Sequence, residues 1–165
     1  MEYRVLVIAP GSTSTKVYVC KDGEKIIEET ITYSSTCTSK YSKIYDQFQF
    51  RKEDVLRVLR EKNFDLNTLD AIVGLGGLLD LAKDEIYRVN ELMINNLKSG
   101  IQGEHASNLG AIIAYSIANP LKIPAFTVNS VTIDELQDIA RISGMPEIIR
   151  KSRFHAYLIS LLYPA

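Results

Sequence analysis

The chain has 165 residues, nineteen basic against twenty acidic, and a formal net charge of −1 at neutral pH. That length suits one compact domain burying roughly 70% of its unfolded surface, and the balanced charge, with no dense run of one sign, argues against a nucleic-acid backbone as partner. Cys20 and Cys37 are the only two cysteines and have no CxxC pair or histidine cluster beside them, so neither a zinc site nor a disulfide framework is expected and a reducing, cytoplasmic setting fits.

Met1-Glu2-Tyr3-Arg4 leads directly into an apolar segment without a charged leader and cleavage site, so no export is expected. Val5-Leu6-Val7-Ile8 reads as the first strand and Val17-Tyr18-Val19-Cys20 as the second, both rich in β-branched or aromatic side chains. Between them, Ala9-Pro10-Gly11-Ser12-Thr13-Ser14-Thr15-Lys16 holds four consecutive hydroxyls, a turn glycine and a lysine. Such a hairpin turn can aim backbone N–H groups and hydroxyls at phosphate oxygens, with Gly11 expected in a left-handed conformation and Lys16 supplying a mobile cation. Gly11, Ser12, Thr13, Ser14, Thr15 and Lys16 are therefore the candidate phosphate-binding residues. A Walker A loop is excluded, because its Gly-Lys-Ser/Thr step opens a helix and here the lysine opens a strand. The competing reading is an ordinary Ser/Thr-rich turn.

Asp22-Gly23 marks a tight turn and Lys25 to Thr32 a third strand, completing an antiparallel meander. Residues 34 to 42 read as a surface loop, and two helical segments fill 43 to 62, with Ile44 and Phe48 on one face and Val55, Leu56 and Leu59 on another. Asp70 to Gly74 is a short buried-strand pattern running into Leu75-Gly76-Gly77, which makes Gly76 and Gly77 candidate substrate-cleft residues. Asn90 caps a helix carrying Met93 and Leu97 that Gly100 ends. Leu109 to Ile117 trace a longer helix, ended by Asn119-Pro120. Pro124 to Val128 is the fifth strand, Thr132 to Glu135 a capping box opening a helix that Gly144 closes, and Pro146 the start of a last helix. The order βββαβαβα predicts an α/β, ribonuclease H-like domain with a five-stranded mixed sheet flanked by helices. Residues 1–155 form that domain and 156–165 an apolar tail, in which Tyr157 to Tyr163 falls well short of the roughly 20 residues that span a bilayer. No membrane and no metal-ligating set is read from the residues. A metal-dependent nuclease on the same layered fold would need acidic residues on the first strand, and Val5 to Ile8 has none.

Gly11 to Lys16, Asp46-Gln47-Phe48 with Phe50-Arg51-Lys52, Gly76-Gly77-Leu78-Leu79, Tyr87-Arg88-Val89-Asn90, Gly103-Glu104-His105-Ala106-Ser107-Asn108-Leu109-Gly110, and Asp134-Glu135-Leu136 to Ala140-Arg141-Ile142-Ser143-Gly144 follow one another in a known order. In these stretches the chain resembles the amino-terminal half of the butyrate kinase family, within the acetate and sugar kinase, Hsc70 and actin superfamily. The resemblance implies the reaction ATP + butyrate → ADP + butanoyl phosphate, with ATP and Mg2+ as cofactors. It also implies that His105 and His155 are catalytic histidines that stabilise a transferring phosphoryl group. Taken alone, the residues leave His105 open as a loop or capping histidine, and leave Arg150 to Arg153, beside His155, open as a solvated helix face.

Three positions depart from the family: Ala9, Leu75 and Asn129 stand where it carries asparagine, arginine and aspartate. A planar bidentate clamp cannot be replaced by leucine, and the family builds its adenosine site in a second domain, so impaired or absent turnover is expected of this domain alone. Two readings stay open. One is a kinase-like domain that binds a small-molecule phosphate or nucleotide and depends on a carboxyl-terminal kinase domain in trans. The other is a non-catalytic module that docks to a kinase partner or self-associates as a homo-oligomer.

Overall fold

The computed structural model describes residues 2–79, 86–128 and 136–150. Strand β1 (Arg4–Pro10), β2 (Ser14–Lys21) and β3 (Glu24–Thr32) form the expected antiparallel meander. Period-two alternation sets its faces: Leu6, Ile8, Thr15, Val17 and Val19 are all fully buried on one side. The β2–β3 turn places Asp22 and Gly23 at φ 49° and 89°, the two positive values of a tight hairpin.

β4 (Ala71–Leu75) runs parallel to β1, and β6 (Ala125–Val128) parallel to β4. Among the described residues the sheet has six strands, in the order β3-β2-β1-β4-β6-β5 with β5 at Ile86–Arg88, one more than the sequence predicts. The addition is β5, antiparallel to the outer edge of β6. Three residues are too few to show an alternation, and only non-local pairing with β6 defines this strand.

A single helical turn, α1 (Ser35–Thr38), lies inside the stretch expected as loop, with the Ser34 side chain accepting from the Cys37 N–H. A 3-10 turn at Ile44–Gln47 leads into α2 (Phe48–Glu61). α3 (Glu91–Ser99) is capped as the sequence predicts: Asn90 Oδ1 accepts from Met93 N at 2.9 Å and Gly100 closes it at φ 63°. α4 (Asn108–Leu121) does not stop at Asn119-Pro120; it closes at left-handed Lys122, whose N–H reaches the Ala118 and Asn119 carbonyls. A proline in the last turn forfeits one intrahelical bond and leaves the rest of the helix intact.

α4 is the central helix, packed on the face carried by β1, β4 and β6 and flanked by α2 and α3. Its approach is closest at Gly74, where an added Cβ would lie 2.2 Å from the Gly110 carbonyl carbon. Leu109, Ile113 and Ala114 of α4 are fully buried with Leu6, Ile8 and Ile72; each large side chain of this kind contributes about 1.5–3 kcal/mol. The cysteines are free thiols, and burial pushes the Cys20 thiol up from its ordinary value, with Lys25 opposing and Glu28 reinforcing. No helix among the described residues is long and apolar enough to cross a membrane.

Beyond β6 the structure differs most from expectation. The helix predicted through Ile139 and Ala140 is a 3-10 turn, Asp138–Arg141, and residues 146–150 form no helix after Pro146. Ile139, Ile142, Met145, Ile148 and Ile149 are all more than half exposed. Helices this short depend on a packed apolar face, which these side chains do not find among the described residues. The Thr132 to Glu135 capping box, Asn129, His155 and the 156–165 tail lie outside the described residues.

Candidate functional site

β1, β4 and β6 are parallel and in register through Ile8, Gly74 and Thr127. The turn after β1 and the glycine loop after β4 therefore emerge at one end of the sheet, the carboxyl end where open α/β sheets hold ligands.

The turn is held from below by Arg51. This side chain is fully buried, and all its donors are engaged. Nε and Nη2 donate to Gln47 Oε1 at 3.1 and 2.9 Å. Nη1 donates to the Gly11 carbonyl at 2.9 Å, the Ser14 carbonyl at 3.3 Å and Thr15 Oγ1 at 3.1 Å, and Nη2 also reaches the Ser12 carbonyl at 3.4 Å. The Thr13 carbonyl accepts from Tyr33 N at 2.8 Å and the Ser14 carbonyl from Gly11 N at 2.7 Å. The four successive carbonyls thus all find partners within the fold. In a planar trans peptide the N–H points opposite to the preceding carbonyl, so the N–H groups of Ser12 and Thr13 face outward. Neither donates to another described residue, and both residues are exposed.

Two expectations for this turn need correction. Gly11 is not left-handed, and an added Cβ would meet only ordinary contact, Ser14 O at 3.5 Å; the inward hydrogen bonds shape the turn without a positive φ. Thr15 is fully buried and its Oγ1 accepts from Tyr33 OH at 3.1 Å as well as from Arg51. Its hydroxyl therefore braces the underside, and Ser12 and Thr13 are what a ligand would meet. Lys16 pairs with Ala9 in register and is half-buried, on the sheet face opposite Thr15 and Val17.

The charge beneath the turn has no carboxylate bonded to it among the described residues. Burial holds the Arg51 guanidinium below its ordinary value, opposed by Tyr33, Cys37 and Asp54. The Tyr33 ring lies 4.4 Å from the guanidinium carbon, a cation–π contact. Burial also raises the Tyr33 phenol, against its hydrogen bond to Thr15 and the nearby arginine.

At the neighbouring loop, Gly76 and Gly77 have φ of 82° and 115°, and a Cβ on Gly76 would come 2.8 Å from Ser107 Cβ. Both the backbone conformation and the approach of Ser107 call for glycine here. Gly76 N donates to the Val128 carbonyl at 2.9 Å, Thr127 Oγ1 donates to the Gly76 carbonyl at 3.1 Å, and Leu78 N donates to Asn108 Oδ1 at 2.9 Å. Asn108 Nδ2 in turn donates to the Gly103 carbonyl at 2.9 Å, so one side chain ties the glycine loop to the loop carrying His105. His105 Nδ1 accepts from Ser107 N at 3.2 Å and lies 2.8 Å from Ser107 Oγ. That fixes Nδ1 as the acceptor and leaves the neutral ring's proton on Nε2, on an exposed side chain. Ile44 N donates to Glu104 Oε2 at 3.3 Å, linking the His105 loop to the segment that leads into α2.

Ala9 and Leu75 follow the paired residues Ile8 and Gly74 and stand side by side at the strand ends, both half-buried. Their side chains carry no oxygen or nitrogen, and among the described residues no group of three or more His, Cys, Asp or Glu stands together. The described residues therefore suit an anion at the turn and offer a magnesium ion no side-chain ligand at these strand ends.

Arg51, Gln47, Tyr33, Ser107 and Asn108 carry the architecture of the site, and none is singled out for a role by the sequence reading. One signal was present: Gln47, Arg51, Val55 and Leu59 are spaced by four and share the buried helical face.

The chain is 54% identical over 156 residues to a probable butyrate kinase of Clostridium botulinum (strain Eklund 17B / Type B). It is 51% identical over 156 residues to butyrate kinase 2 of Clostridium acetobutylicum. Each match covers 94% of this chain and 44% of the relative, so the chain spans less than half the length of the curated relatives it matches. Among solved structures, Porphyromonas gingivalis acetate kinase superposes with a TM-score of 0.56 at 14% identity, over 97% of this chain and 49% of that one. A propionate kinase from Francisella tularensis subsp. tularensis gives 0.52 at 12% identity, over 87% and 41%. These superpositions show the shared fold. No protein-family model matches the chain.

Proposed function

We propose, from a chain homologous to the amino-terminal part of the butyrate kinases, that this domain is the phosphate-positioning half of a carboxylate-kinase site, whose family reaction is ATP + butyrate → ADP + butanoyl phosphate. The observation that carries the reading is the β1–β2 turn, whose carbonyls are tied inward while the N–H groups of Ser12 and Thr13 face out. Phosphoryl transfer asks the protein mainly for positioning and charge neutralisation, which such a turn supplies. Ser12, Thr13, Ser14 and Lys16 would contact phosphate oxygens, His105 Nε2–H would donate to the transferring group, and Gly76 and Gly77 would line the acceptor side. Magnesium bound with ATP would neutralise phosphate charge, but Ala9 and Leu75 give it no ligand.

Loss of one preorganised donor costs about 2.7–4 kcal/mol, roughly 100 to 1,000-fold in rate. With Ala9 and Leu75 at the strand ends, the domain would bind phosphate weakly by itself, and would turn over butyrate only with the departed positions restored and a carboxyl-terminal kinase domain supplied in trans. A second reading, a module that docks to a kinase or self-associates, rests on the exposed Ile139, Ile142, Met145, Ile148 and Ile149. Titration of 15N-labelled protein with inorganic phosphate tests the first: the Ser12 and Thr13 amides should shift most, with weak affinity. Shifts confined to α4 would refute it, and a clean monomer in sedimentation at high concentration would remove self-association.

A further inference from the structure

We propose that Arg51 is the positioning residue of the phosphate turn, a buried cation that holds the carbonyls of Gly11, Ser12 and Ser14 inward and sets positive charge beneath the anion site. The inference rests on the phosphate-binding reading above and names the residue that gives the turn its polarity.

Buried arginines are ordinarily neutralised by carboxylates, because an uncompensated charge away from water is costly. Arg51 is fully buried, yet its acceptors are all neutral: Gln47 Oε1, Thr15 Oγ1 and three backbone carbonyls. The acidic groups of its own helix make their hydrogen bonds elsewhere, and Asp54 acts on the guanidinium only through space. Asp54 pairs with Arg57 at 2.9 Å, and Glu53 accepts from Gln49 at 3.1 Å. The guanidinium is thus solvated by peptide dipoles, and two of those peptides, Gly11–Ser12 and Ser12–Thr13, present their positive ends at the exposed side of the turn. A bound phosphate would see the outward N–H groups and, behind them, a cation with no carboxylate bonded to it among the described residues, two effects of the same sign.

A purely cementing role would anchor the turn to α2 without affecting what the turn binds. The planar fork is what allows one side chain to hold three carbonyls, a task that lysine's single ammonium cannot perform even though it keeps the charge. Phosphate titrations of wild type, Arg51→Met, Arg51→Lys and the surface control Arg57→Met, followed at the Ser12 and Thr13 amides, separate the roles. Hydrogen exchange at β1, β4 and α4 reports whether each variant keeps its core. Arg51→Met should weaken phosphate binding about ten- to a hundred-fold, Arg51→Lys should recover part of the loss, and Arg57→Met should bind as wild type, all with core protection retained.

Wild-type affinity and unchanged Ser12 and Thr13 shifts in Arg51→Met would overturn the inference while leaving the phosphate reading intact. Silence of these amides in the wild type would overturn both, and only that outcome is seen without any substitution. Should Arg51→Met fail to fold, Arg51→Lys decides: a loss of affinity with the core protected supports the assignment, and wild-type affinity rejects it.

Discussion

Replacing Gly74 by alanine puts one methyl where the fold has no room for it. Its Cβ would lie 2.2 Å from the Gly110 carbonyl carbon and 2.4 Å from both Ala111 N and Gly110 O. These atoms are the backbone of α4, so no side-chain rotation relieves the overlap. Carbon atoms settle near 3.5–4.0 Å apart, and the helix would have to retreat by roughly 1 Å or more. Overpacking in a tight core costs typically about 1–3 kcal/mol, and contact of backbone with backbone places Gly74→Ala at the upper end. For a domain of this size about 3 kcal/mol lowers Tm by roughly 6–12 °C. The same retreat would pull Asn108 from Leu78 N, now bonded at 2.9 Å, and loosen the Gly76 loop with the core. Urea unfolding followed by circular dichroism should show a lower midpoint at unchanged m-value. Gly144→Ala, with nothing within 4 Å of its added Cβ, is the control and should stay within about 0.5 kcal/mol. Stability of Gly74→Ala equal to that control would refute the close-approach argument.

Burial raises the Tyr33 phenol above its ordinary value, so its contribution to stability is complete below pH about 10 and is lost as pH rises through the raised folded value. The difference in urea midpoint between wild type and Tyr33→Phe should be level to about pH 9 and change above 10, in the direction of a less stable wild type; a level difference throughout would contradict the assignment. In a hydroxylamine trapping assay, the unmodified chain should form no butanoyl phosphate from ATP and butyrate, and Ala9→Asn, Leu75→Arg and Asn129→Asp together should not rescue it alone. Turnover should appear only when a carboxyl-terminal kinase domain accompanies the restored residues, and turnover by the unmodified chain by itself would overturn the reasoning from both the departures and the second domain.

The meander, the caps at Asn90 and Gly100 and the apolar face of α4 were legible because each is encoded within a few neighbouring residues. What escaped depends on distant partners. β5 exists only because Arg88 and Ile86 pair with Phe126 and Val128, and nothing in three residues announces that. The end of α4 was read from Pro120, whereas a non-glycine residue, Lys122, takes the left-handed closing position at φ 58°, against the usual preference for glycine. Arg51 has no role that its neighbours in the sequence announce, because only the tertiary fold buries it and turns the Gly11, Ser12 and Ser14 carbonyls towards it. The turn itself was legible as a donor-rich hairpin, but which hydroxyls face out was not, since Thr15 differs from Thr13 only in the strand register that buries it.

The two margins of the sheet bear on how the molecule survives in a crowded solution. At one, β3 carries Glu24, Lys25, Glu28 and Glu29, with Lys25 bridging to Glu28 at 3.3 Å and Lys62 of the turn after α2 reaching Glu29. At the other, β5 ends the hydrogen-bonded ladder after three residues, with Ile86 and Arg88 exposed. A strand from a second chain would have to bury charges at the first margin and would find too short a template at the second. Among the described residues, edge-to-edge polymerisation is thereby discouraged without covering the cleft end of the sheet.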